Sequence, residues 1–170
     1  VINAFIPVFW THELGTSPEQ GSFALTVFFS IGIFMTYIGG LLGDKYGPIK
    51  IIRLSLLIWL PSMFLLTQVP EFSVTIMMPL AYLILLMIGA AKAISYSPVI
   101  VLGQTYLAKS IGFASGITLG VSQTIGGIIA PVVGNLADTY SLPAAMMTLV
   151  PFLVIGLGAS LLLKDPKKLQ

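Results

Sequence analysis

The sequence has no cysteine, one histidine and very little charge: Lys, Arg, Asp and Glu make up 8% of its 170 residues. Without cysteine there is no disulfide and no thiolate metal site. The single histidine, His12, stands beside Glu13 but lacks the further convergent ligands of a metal centre, so no metal or other cofactor is expected and the pair reads as an interfacial loop. A soluble domain carries about 25% charged residues, and the charges here are too few to cover a water-facing surface. Net charge is only +2 and no basic stretch interleaves with aromatics, so nucleic acid is not an expected partner. No Asp or Glu lies inside a long apolar run. An intramembrane enzyme needs a nucleophile and base, or a metal cluster, at bilayer depth, and none is on offer.

What is present is apolar residue, 56% of the chain. A helix crossing the hydrocarbon needs about 20 such residues. The runs between charges predict a partial span over about 1–11 and full spans over about 22–43, 51–69, 74–98, 111–134 and 142–163. The runs do not alternate as the strands of a membrane barrel would, as Ile84-Leu85-Leu86-Met87-Ile88 illustrates. The connections are short, including Gly43 to Lys50, so one bundle is expected, with lipid as its main partner. Val1–Thr11 has no initiating Met and no basic flank of the signal-peptide kind, so the chain is expected to begin within a helix of a longer protein.

Lys and Arg orient the bundle. With Gly43–Arg53 in the cytoplasm, that side receives Lys45, Lys50, Arg53, Lys109, Lys164, Lys167 and Lys168, seven of the 8 basic residues. Glu13, Glu19, Glu71 and Asp138 fall on the other side. The expected location is the plasma (inner) membrane, multi-pass, with a cytoplasmic carboxy terminus. Trp10, Phe72 and Tyr140 should mark the outer interface, and Tyr46 and Tyr106 the inner one.

Two stretches read Gly-x-Leu-small-Asp-x-Tyr: Gly40 to Tyr46, closing the second span, and Gly134 to Tyr140, closing the fifth. Three spans separate them, so they face opposite sides, as two inverted three-helix repeats require.

Here the sequence resembles the major facilitator superfamily, whose signature loop reads Gly-x-Leu-Ala-Asp-Arg-x-Gly-Arg-Lys. Gly40, Leu42, Asp44, Lys45 and Gly47 match it; Pro48 and Ile49 stand where a basic pair is expected, with Lys50 and Arg53 carrying charge nearby. Tyr106-Leu107, Ile111-Gly112, Ala114-Ser115-Gly116 and Gly120 are similar to the family's loop into its eleventh helix. The resemblance implies helices seven to twelve of a twelve-helix carrier, with the amino-terminal six-helix half as partner and the basic tail as its carboxy terminus. Within the family the stretch Gly103–Leu142 is most similar to the fosmidomycin-resistance type of drug exporter. The implied function is movement of a small solute by alternating access, as proton-coupled drug efflux; the alternative is nutrient or organic-anion uptake by symport on the same fold. The resemblance also implies that Gly40, Asp44, Lys45, Gly47, Lys50 and Arg53 form a gating loop, with Asp44 tied to a helix end of the other half. Such a contact is worth about 0.3–1 kcal/mol when exposed and ~2 when partly buried, enough to bias an equilibrium between access states.

Lys92 is the one basic residue within a span, and two readings stand. It snorkels to the inner interface if its helix ends near Pro98, or it is central and functional if the helix runs on toward Gln104. A central Lys suits an anionic substrate or a proton-coupled charge switch. With helices seven, eight, ten and eleven lining the family's cavity, Asn3, Tyr37, Tyr96 and Gln123 join Lys92 as substrate-facing candidates; the plainer role of each is an interhelical hydrogen bond. Gly112, Gly116 and Gly120 lie four apart and Gly127 continues the small surface, so these glycines are expected to pack helices closely. Leu54–Val69, which has no Gly, is expected at the lipid-facing periphery.

Overall fold

The computed structural model describes residues 1–71 and 73–163. The expectations for Phe72, Lys164, Lys167 and Lys168 lie outside the described residues. Within them all regular structure is helical, in six rods. The first is α1 (Ile2–His12), the second α2 (Pro18–Tyr46) and the third α3 (Pro48–Gln68). The fourth is broken into α4 (Val74–Ile94) and α5 (Tyr96–Tyr106), the fifth is α6 (Ile111–Thr139), and the sixth is broken into α7 (Leu142–Met147) and α8 (Val150–Leu162). Five rods are long and apolar enough to cross a membrane. α1, with 11 residues, is about 16 Å long, half the hydrocarbon.

The rods outrun the charge-free intervals. Polar residues end the lipid-facing stretch but not the helix, because a helix satisfies its own backbone in either solvent. The expected connection from Gly43 to Lys50 is therefore one residue: Gly47, with φ of 95°, closes α2, and Pro48 opens α3 at a position that needs no N–H partner. Ser17 caps α2 by accepting from the Gln20 N–H, and Ser141 caps α7 by accepting from Ala144, each with a proline in the first turn. The two rods that carry the repeated Gly-to-Tyr stretch, α2 and α6, are both 29 residues long.

The breaks have causes. Pro98 has no N–H to give the Ile94 carbonyl, and Pro151 none for Met147; the rods interrupt at Ser95 and at Thr148–Leu149. Against the first break lies α2. A Cβ on Gly39 would overlap the Ile94 carbonyl, one on Gly43 would stand 3.1 Å from the Pro98 ring, and one on Gly40 would stand 3.3 Å from Ser97 Oγ. Gly21, Gly89 and Gly103 make similar close approaches, to Pro7, to Ile31 and Phe28, and to Thr118.

Two expectations about packing are corrected. α3 is the best buried of the long rods, not a peripheral one. Its Leu54, Leu57, Phe64 and Leu65 are exposed, but Ser55, Ser62, Met63 and Leu66 are buried. Small serines do what glycine was expected to do, and their hydroxyls are satisfied by donating to the Ile52 and Ile58 carbonyls at 2.7 Å. Trp10 does not sit at an interface. It is fully buried in the main core with Phe9, Met63, Leu66, Leu85 and Met146, its ring 5.5 Å from Tyr82. The other expected markers, Tyr46, Tyr106 and Tyr140, are exposed.

The ends of the rods are sorted. Ile49 and Ile52 of α3, Leu102 of α5 and Leu163 after α8 cluster at one end. There Arg53 donates from Nε and Nη2 to the Ser160 carbonyl at 3.1 and 2.8 Å, and from Nη2 to that of Leu161 at 3.4 Å. A helix leaves its last carbonyls without partners and carries partial negative charge there; Arg53 supplies both donor and charge. Arg53→Met keeps the stem and removes the donors. It should lower stability by about 0.5–2 kcal/mol, read as a lower melting temperature of the full-length protein in detergent, while Lys50→Met, on an exposed position of the same rod, stays near wild type.

Candidate functional site

Lys92 lies on the last turn of α4, but the fourth rod continues through α5 to Tyr106. Counted along the apolar stretch Ile76–Tyr106, it is about 24 Å from one end and 21 Å from the other. The rod thus runs on past Gln104, the condition of the second sequence reading, and Lys92 stands near its middle. The ammonium donates to Asn3 Oδ1 of α1 at 2.8 Å and lies 5.2 Å from the centroid of the Phe28 ring of α2. Gly89, one helical turn before Lys92, makes this possible: with no side chain it lets Phe28 and Ile31 of α2 come against α4. The Ser95 hydroxyl donates to the Lys92 carbonyl at 3.0 Å, tying the break to the same turn.

The electrostatics are incomplete. A cation over an aromatic face gains about 0.5–1 kcal/mol, up to ~2 when desolvated, and a hydrogen bond to a charged group about 1.5–3. Both partners of Lys92 are neutral. The acidic residues of the chain fall at rod ends or in the tail, and among the described residues no carboxylate is paired with the ammonium.

A cleft of about 270 Å³ between α2 and α4 reaches Lys92 and is bordered by Phe28, Gly32, Thr36 and Tyr96. A second groove, about 370 Å³, reaches Lys92 from the side of α3, α6 and α8, past Trp59 and Ser122. The structure thus brings Asn3, Lys92 and Tyr96 together. Tyr37 does not join them; it is 71% exposed on α2. Gln123 is exposed on α6, and its neighbour Ser122, not Gln123, borders the second groove. Sequence reasoning missed Phe28, Thr36, Trp59 and Ser122. Gly89 was the available signal for Phe28, a glycine three residues before an intramembrane cation.

A profile described as Major Facilitator Superfamily matches residues 1–170. The chain belongs to the major facilitator superfamily. This is a class of membrane transporters and not of enzymes. The chain is 33% identical over 151 residues to the uncharacterized MFS-type transporter YfnC of Bacillus subtilis, covering 89% of this chain and 35% of that protein. It is 28% identical over 146 residues to the fosmidomycin resistance protein of Escherichia coli, covering 83% of this chain and 33% of that one. The chain therefore spans about a third of the length of the curated relatives it matches. No solved structure matches it significantly.

On this facilitator chain the signature residues are distributed differently from a loop. Gly40, Asp44 and Lys45 are helical in α2, Lys50 and Arg53 are helical in α3, and only Gly47 is a joint. Asp44 is exposed, and among the described residues it has no partner. Lys45 lies 5.2 Å from the centroid of the Tyr46 ring. Arg53 is engaged by the end of α8 as described. The glycines of α6 are also not where packing would put them. A Cβ on Gly112, Gly116, Gly120 or Gly127 would meet nothing within 4 Å. Gly116 and Gly120 lie in an open trough beside Phe113, Ile117 and Val121, and among the described residues no other helix fills it. Spacing by four places glycines on one face but does not supply a neighbour for it.

Proposed function

We propose that the full-length protein carries a small anionic or amphipathic, drug-like solute out of the cell by alternating access, coupled to proton entry. The single observation behind this reading is Lys92: a mid-rod cation whose partners among the described residues are a carboxamide and a ring. A charge in a low-dielectric site without a counter-ion is costly, and an arriving anion provides one. Export over uptake is favoured by the relative named for fosmidomycin resistance. Asn3 holds the ammonium in place and Tyr96 borders the solute, while Tyr37 and Gln123 stand on the uncovered surfaces of α2 and α6, turned to the other half. Those surfaces, including the open glycine trough of α6, are the ones against which the amino-terminal six-helix half rocks. Asp44 meets that half at the basic end of the bundle, which faces the cytoplasm of the plasma membrane. The proton-binding carboxylate belongs to the other half, since no Asp or Glu lies mid-span here.

The test is substrate-induced proton flux in vesicles holding the full-length protein, together with drug tolerance of cells that express it. Anionic compounds should drive proton movement in wild type. Proton flux driven only by cationic compounds would overturn the reading.

A further inference from the structure

The cleft between α2 and α4 has a particular shape. Its floor is low, formed by Gly32 of α2 and Ala93 of α4, while the space over Gly89 is taken by Phe28 and Ile31. Its borders are Ile33, Thr36 and three aromatic rings: Tyr96, Phe29 and the buried Phe28, whose ring stands edge to face with that of Phe29 at 5.7 Å. The volume of about 270 Å³ lies just under the usual small-molecule range of ~300–1,000 Å³, room for a ring with its carboxylate. Thr36 already donates its hydroxyl proton to the Gly32 carbonyl at 2.8 Å. The donors left to a ligand are the remaining protons of Lys92 and the Tyr96 phenol.

We propose that this cleft selects a one-ring aromatic acid, with the carboxylate on Lys92 and the flat ring on the Gly32–Ala93 floor against Phe28, Phe29 and Tyr96. The proposal rests on Lys92 being the solute anchor. A flat floor admits a planar ring close to the backbone and rejects a puckered one. Ring contacts with aromatic borders add a preference of about 2- to 12-fold beyond the area they cover.

Benzoate and cyclohexanecarboxylate are anions of nearly equal size and differ in planarity. Their binding is measured by calorimetry on the full-length protein in lipid nanodiscs, with empty nanodiscs subtracted. Wild type should prefer benzoate by about 2- to 12-fold. Gly32→Ala, whose Cβ would meet that of Ala93 at an ordinary 3.9 Å, keeps the fold and should weaken benzoate several-fold. Gly32→Leu should abolish benzoate binding, and Lys92→Met should weaken both acids by about 10- to 150-fold. Equal affinity for the two acids in wild type, or benzoate binding untouched in both Gly32 variants, overturns the cleft and leaves the Lys92 anchor standing. Benzoate binding untouched in Lys92→Met overturns the anchor itself and the proposal with it. Absence of benzoate binding to wild type also overturns the proposal.

Discussion

Gly39→Ala should destabilise the full-length protein severely, more than any other single methyl addition along α2. The added carbon would occupy the space of the Ile94 carbonyl oxygen and crowd its Cα and carbonyl carbon. These are backbone atoms at the break of the fourth rod, so no side-chain rotation relieves the clash. Either α2 moves away from α4 and α5 or the break changes shape. Overpacking of this kind costs about 1–3 kcal/mol, occasionally more, and here it falls on the tightest approach made at any of the 17 glycines. Gly158→Ala, on α8 and away from the surfaces turned to the other half, is the control. Its added carbon meets nothing within 4 Å among the described residues, and alanine favours helix over glycine by about 0.8–1 kcal/mol. Thermal melts of the two variants in the same detergent should fall on opposite sides of wild type, or at wild type for Gly158→Ala. A Gly39→Ala protein as stable as wild type would mean that α2 does not approach Ile94 this closely.

The second large effect is on Lys92→Met. Methionine keeps the length and apolar stem of lysine and removes the charge. The hydrogen bond to a charged group that it deletes is worth about 1.5–3 kcal/mol, so the affinity for an anionic solute should fall by about 10- to 150-fold. Stability should not fall in parallel, because the ammonium is not satisfied by an opposite charge within the chain. Asn3 then loses its cationic partner but remains half-buried near Phe28 and free to pair elsewhere. Uptake of labelled anion into vesicles checks the first effect and a melting curve checks the second. Unchanged transport with Lys92→Met removes this residue from solute handling. A large loss of stability would make it a structural cation instead.

The sequence made the rods and their sorted ends legible because both follow from charge placement. A charge cannot remain in hydrocarbon cheaply, so Glu71, Lys109 and Asp138 mark interfaces whatever the tertiary structure. Charges do not mark where a helix stops, which is why Asp44, Lys45, Lys50 and Arg53 were read as loop and are helical. Lys92 was ambiguous for the same reason: a charge inside a rod reads as its end, whereas the fourth rod runs on to Tyr106, just before Lys109. Neighbours were the least legible. Asn3 and Lys92 are 89 positions apart, and nothing local predicts their meeting. Gly39 and Gly112 look alike in the sequence, yet one touches a backbone and the other touches nothing. That difference is set by whether a partner helix has a freed carbonyl or kinked backbone to offer, and only the fold decides it.

The single-residue joint at Gly47 and the clamp of Arg53 on the last turn of α8 share a consequence for motion. With no slack between α2 and α3, and α3 fastened to α8 only six residues beyond the joint, a tug on Asp44 is passed along a stiff linkage to the end of the sixth rod. A spectroscopic label placed near Leu163 would then register events at the Asp44 corner without touching it.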